Sequence, residues 1–180
     1  MTRLPLALAL LLAALPVAAQ TTSADSPSAD AGGQPPAVTT DEDFLRLATS
    51  ANLLEIRSSE LILEKTRSPD IRAFAEAMIA DHRAAAEQMA QAAGTTPPAP
   101  DSPDIMLEPR HATLMAQLEA AEGSPDAAYI DLQRQAHEQA VALFTDYATN
   151  GQEGAVKDFA GATLPKLQEH LEKVQQLPAE

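Results

Sequence analysis

Four ionisable side chains, Glu55, His82, His137 and His170, each interrupt the apolar stripe of a different expected helix. Residues three and four apart share a helix face, so a polar residue inside such a series points toward the core or its edge. His82 follows Ile71, Phe74 and Met78 and precedes Ala85 and Met89. His137 lies between Ile130 and the pair Val141 and Phe144, and His170 lies between Leu167 and Val174. Glu55 stands between Ala48 and Ala51 on one side and Ser58 and Ile62 on the other. Groups of this kind are costly to bury unless paired or bound to something. One on each helix points to a shared site, and imidazoles with a carboxylate suit a transition-metal ion such as Fe, Mn, Zn, Cu or Ni. Asp81 and Glu138, beside two of the histidines, are candidates for carboxylates that orient those rings. The same four groups admit another reading, neutral hydrogen-bonded residues that fix helix register. His111 falls on the Leu107, Leu114, Leu118 face of a connecting segment and is most simply a packing residue.

The elements that must carry these residues are marked by caps and breakers. A first helix is expected from about Asp41 to Thr66, with Thr40 or Asp41 as cap and an acidic first turn. Ser68-Pro69-Asp70 then opens a second, which Gly94 ends near Ala93. The segment from Gly94 to Pro103 holds four prolines and excludes regular structure. A short helix from about Glu108 to Ala121 follows. Ser124-Pro125-Asp126 repeats the earlier cap signal for a helix to about Thr149, and Asn150-Gly151 separates it from a last helix, from about Gln152 to Gln176. The connection between the two hairpins is long enough to run the length of a helix, which makes the second and third long helices parallel, as in a ferritin-like four-helix bundle.

Height along such a bundle tests the shared site. Counted from the turns at ~1.5 Å per residue, Glu55, His82 and His137 agree within ~3 Å, whereas His170 is offset by roughly 8 Å. Pro165, just before it, is expected to kink the last helix and alter that offset.

Composition sets the remaining bounds. MTRLPLALALLLAALPVAAQ reads as a signal peptide over residues 1–19, with Arg3 in its n-region and cleavage after Ala19. Its apolar run is short of the ~20 residues of a membrane span. Residues 20–40, rich in Ser, Thr, Ala, Gly and Pro, read as a linker, leaving residues 41–177 as one domain. The chain has no cysteine, so thiolate sites and disulfides are excluded, and any metal needs nitrogen and oxygen ligands. The formal charge of -14 becomes -15 once Arg3 leaves with the leader, which disfavours nucleic acid and anionic membrane surfaces. No phosphate loop, nucleophile elbow or His-Glu-x-x-His run is present, so no catalytic motif supports an enzyme.

Phe74-Ala75 with Asp81-His82, Tyr129 with His137-Glu138 and Ala142-Leu143-Phe144, and Leu164-Pro165 with His170-Leu171 together resemble the secreted bacterial domain of unknown function numbered 4142. The resemblance covers about Asp43 to Leu177 and implies a ferritin-like bundle without an assigned activity. The usual di-iron pattern of paired Glu-x-x-His motifs is absent, since Ile79, Arg134 and Leu167 stand three residues before the histidines. The expectation is thus an all-α, ferritin-like protein, periplasmic or secreted, that binds a single metal ion or another small ligand through these residues. The alternative is a structural or interaction domain of the cell envelope whose partner is another envelope protein.

Overall fold

The computed structural model describes residues 38–97, 106–121 and 123–178. The expected signal peptide, residues 20–37 of the expected linker and residues 98–103 of the proline-rich stretch lie outside them. Five helices follow in order: α1 (Asp41–Lys65), α2 (Pro69–Ala93), α3 (Pro109–Glu119), α4 (Pro125–Asn150) and α5 (Ala155–Gln175), with no strand among the described residues.

Most boundaries follow from local chemistry. Thr40 Oγ1 accepts the Asp43 amide at 3.2 Å and Ser68 Oγ the Ile71 amide at 3.4 Å, satisfying donors that a helix start leaves unpaired. Gly94, at φ 66, closes α2 with its own amide on Gln91 O and that of Thr95 on Ala90 O, a left-handed turn that glycine makes without strain. Two expectations are corrected here. Ser124 makes no side-chain cap bond to α4 despite repeating the Ser-Pro-Asp signal. The last helix starts at Ala155, not Gln152, because Gly154 takes φ +150, a conformation outside the helical region. α5 then runs through Pro165.

α1 packs on α2 and α4, and α5 packs on the same two, so α1 faces α5 and α2 faces α4 across the diagonals. Phe44 near the start of α1 stacks on Tyr147 near the end of α4, with centroids 4.1 Å apart, and Ser59 near the end of α1 bonds Tyr129 near the start of α4 at 2.8 Å. α1 and α4 are therefore antiparallel, and α2, antiparallel to α1 through its short turn, is parallel to α4, as the long connection requires. α3 covers α1 and α4. It is pinned by Ser50, whose hydroxyl bonds His111 Nδ1 at 2.7 Å and accepts the Glu108 amide at 2.7 Å.

The core divides into two apolar clusters. One gathers Leu54, Ile62, Ile71, Phe74, Met78, Leu118, Tyr129 and Val174; the other gathers Phe44, Ala48, Met89, Phe144, Tyr147, Phe159 and Leu167. In sequence each of the three stripe histidines falls between members of the two clusters: His82 between Met78 and Met89, His137 between Ala136 and Ala140, His170 between Leu167 and Val174. A polar layer thus separates two hydrophobic halves.

Candidate metal centre

α2, α4 and α5 each deliver one imidazole to this layer. His82, His137 and His170 are all buried, and their ring centroids form a triangle with sides of 5.8, 5.6 and 5.4 Å. One nitrogen from each ring lies within 4.8 Å of the other two. The expected offset of His170 is not found. His137 stands thirteen residues before the end of α4 and His170 fifteen after the start of α5, so the two differ by about 3 Å in height. The difference arises because Gln152 to Gly154, expected as the first residues of the last helix, precede α5, which starts at Ala155.

One nitrogen of each ring has its own acceptor. His137 Nδ1 donates to the Gln133 carbonyl at 2.9 Å, His82 Nδ1 to Asn52 Oδ1 at 3.0 Å, and His170 Nε2 to Asp81 Oδ2 at 2.8 Å. Those bonds place the proton on the bonded atom of a neutral ring and leave the lone pair on the other. The three remaining atoms, His82 Nε2, His137 Nε2 and His170 Nδ1, are buried and have no hydrogen-bond partner among the described residues. Seven buried side-chain atoms lack a partner in this way, and five of them belong to His82, His137, His170, Glu55 and Gln133. Native interiors seldom leave such groups unmatched, and here five of them belong to residues of one layer.

Burial also fixes the charge state. Removing an imidazolium from water pushes His82 well below the ordinary histidine range, a tendency reinforced by His137 and His170. Desolvation likewise takes His137 down to about 4, and it lowers His170 although Asp81 opposes the change. Neutral imidazoles with free lone pairs are the form in which histidine binds a metal ion. An imidazole–metal bond of ~2.0–2.1 Å implies donor separations of roughly 3.3–3.6 Å, against separations of up to 4.8 Å in the triad.

Glu55 adjoins this set. Its Oε1 is 3.5 Å from His137 Nδ1, the nitrogen that bonds the Gln133 carbonyl, and its oxygens are not among the converging donors. Burial pushes its carboxyl up to about 8, offset in part by a hydrogen bond from Gln133. The Gln133 amide also donates to Ser58 Oγ at 3.1 Å. Of the two carboxylates expected to orient rings, Asp81 does touch a histidine. Glu138 is instead exposed and pairs with Arg134 at 3.3 Å, because a helix neighbour of a buried residue is turned by ~100° toward solvent. Sequence reasoning missed Asn52, one turn before Glu55 on the same α1 face, and the carbonyl of Gln133, one turn before His137. The first was legible as an i, i+3 relation; the second, a backbone atom, carries no sequence signal.

A cavity of about 30 Å³ adjoins the layer, lined by Asn52, Glu55, His82 and His137 together with alanines 48, 51, 85 and 140 and the apolar side chains of Met89, Phe144, Phe159 and Leu167.

No curated protein matches the chain. The chain resembles the solved structure titled "CopM in the Cu(II)-bound form", at 19% identity and a TM-score of 0.55, over 76% of this chain and 94% of that one. At this identity the likeness is one of fold, a helical bundle. A family model matches residues 26–177, most of the chain, and the protein belongs to that family, described as Domain of unknown function (DUF4142).

Proposed function

We propose that this protein is an exported helical-bundle protein that holds one transition-metal ion on His82, His137 and His170. The carrying observation is that three buried imidazoles bring one nitrogen each within 4.8 Å of one another, while each ring has one nitrogen held by an acceptor and the other buried without a partner among the described residues. Such an arrangement serves packing poorly, since every unmatched nitrogen costs free energy that a carbon atom in its place would not. Glu55 completes the polar layer beside His137 without joining the ligand set. Asp81 is the carboxylate that orients a ligand.

Copper is the first ion to test. Nitrogen donors bind Cu(II) most tightly among the first-row divalent ions, and the structural neighbour is a Cu(II)-bound protein. Export rests on the leader sequence MTRLPLALALLLAALPVAAQ. No helix among the described residues is long and apolar enough to cross a membrane.

The deciding experiment is metal analysis and titration of chain purified without chelator or affinity tag, beside His82→Gln, His137→Gln and His170→Gln. Wild type should take up one equivalent of copper and gain thermal stability, about 2.7 kcal/mol at a free concentration one hundred times Kd. Each variant should lose both uptake and gain. If wild type and variants respond identically to copper, zinc, nickel, iron and manganese, the proposal fails and the register-fixing reading of the histidines stands.

A further inference from the structure

Three imidazoles leave an ion short of the usual four ligands, and two of them, His82 and His137, also line a small cavity. The cavity of about 30 Å³ has His82, His137, Glu55, Asn52 and Thr163 in its lining, and its other walls are alanine, methionine and larger apolar side chains. A water molecule needs roughly 10–15 Å³ of such space, so the cavity takes two or three atoms of water size and excludes a side chain or an organic acid. Glu55 is 3% exposed, and its Oε2 has no partner among the described residues. Three residues that carry unmatched polar atoms, His82, His137 and Glu55, therefore line one small space, and the alanines account for its size.

We infer that the ion keeps one coordination position open toward this cavity and that the position takes a small exogenous ligand, neutral or anionic and of one to three heavy atoms, with Glu55 as its hydrogen-bonding neighbour. This inference rests on the metal site proposed above. Selection by size comes from Ala51 and Ala85, where a longer side chain would fill the space. Binding at this position joins an electron pair of the ligand to the ion and needs no oxidant or reductant.

The probe is azide, added to protein loaded stoichiometrically with Cu(II) and followed by its ligand-to-metal charge-transfer absorption. Wild type should develop the band saturably, and imidazole, too large for the cavity, should not displace azide. Ala51→Leu and Ala85→Leu should each retain one equivalent of copper and weaken azide binding at least tenfold. Two variants guard against one that packs badly. Copper uptake without an azide band, or azide affinity unchanged in both leucine variants, overturns the inference while leaving the metal site intact. Failure to load copper or any other ion overturns the metal site and this inference with it, so the two failures are read separately.

Discussion

His170 Nε2 on α5 donates to Asp81 Oδ2 on α2 at 2.8 Å, so the carboxylate one position before His82 serves the histidine of another helix. This bond fixes which nitrogen of His170 is free and ties two elements eighty-nine residues apart in sequence. Partners of this kind typically contribute 10–100-fold to metal affinity. Asp81→Ala is expected to weaken copper binding by that factor, measured by competition with a chromophoric chelator. Asp81→Asn, whose amide oxygen still accepts, should lose less. Equal affinity in all three proteins would show that the carboxylate does not orient the ligand.

Ion-free protein should be most stable near pH 6.5. His82, His111, His137 and His170 are all pushed down by burial, His111 and His137 to about 4. The unfolded chain therefore binds more protons as pH falls below ~6.5, and stability drops toward pH 4. Glu55 acts in the opposite direction. Raised from 4.5 to about 8, it is held neutral in the fold while its unfolded counterpart ionises, so its contribution fades as pH rises toward 8. Four histidines outweigh one carboxyl on the acid side, and only Glu55 acts above ~6.5. Urea unfolding from pH 4 to 9 should trace this dome, and Glu55→Gln should flatten its alkaline limb. A profile that is flat between pH 7 and 8.5 in wild type would contradict the assignment.

The protonation behaviour also bears on metal affinity. Free imidazole loses its ion near pH 6, but rings already resistant to protonation retain it further into acid. Copper affinity should stay nearly constant from pH 7 to 6 and fall as pH approaches about 4, where His137 titrates. Isothermal titration at stepped pH checks this; a tenfold loss between pH 7 and 6 would mean that the rings are wetter than their burial implies.

A site remote from the metal supplies a control for these experiments. Ser50→Ala removes the hydroxyl shared by His111 and the Glu108 amide, leaving two buried polar groups unmatched at the start of α3. The cost should be about 1–3 kcal/mol in chemical unfolding, with one equivalent of copper still bound. Loss of metal uptake in this variant would link α3 to the site.

Gly151 is a second structural test. A Cβ there would lie 2.5 Å from the Tyr147 carbonyl oxygen and 2.7 Å from two ring carbons of the same tyrosine. Gly151→Ala must displace a buried ring that stacks on Phe44 and bonds Asp41, and should lower stability by about 1–3 kcal/mol. An unchanged melting temperature would show that the turn relaxes freely.

The helices were legible because caps, breakers and apolar spacing agree at each of them, and Thr40, Ser68 and Gly94 act in the structure as their types suggest. The histidine layer was legible for the same reason, since position within a stripe dictates burial. What was hidden depends on small displacements or on backbone atoms. Four residues between Asn150 and Ala155 decide whether His170 reaches the triad, and beyond the break marked by Asn150-Gly151 no periodicity distinguishes Gln152 to Gly154 from helix. Asp81 and Glu138 were equivalent in sequence, each beside a histidine. Only the packing of α5 on α2 gives one of them a partner in the layer, while Arg134 on its own helix claims the other.

The division of the core into two apolar halves has a bearing on turnover. Each half draws on all four long helices, and the layer between them is the least favourable part of the interior without an ion, since its nitrogens are dehydrated and unmatched. A protease acts on the fraction of molecules that is transiently open, so it would meet the empty bundle more often than the filled one. Steady-state abundance would then rise with metal supply at constant synthesis, and the amount of protein in the cell would itself record occupancy of the site.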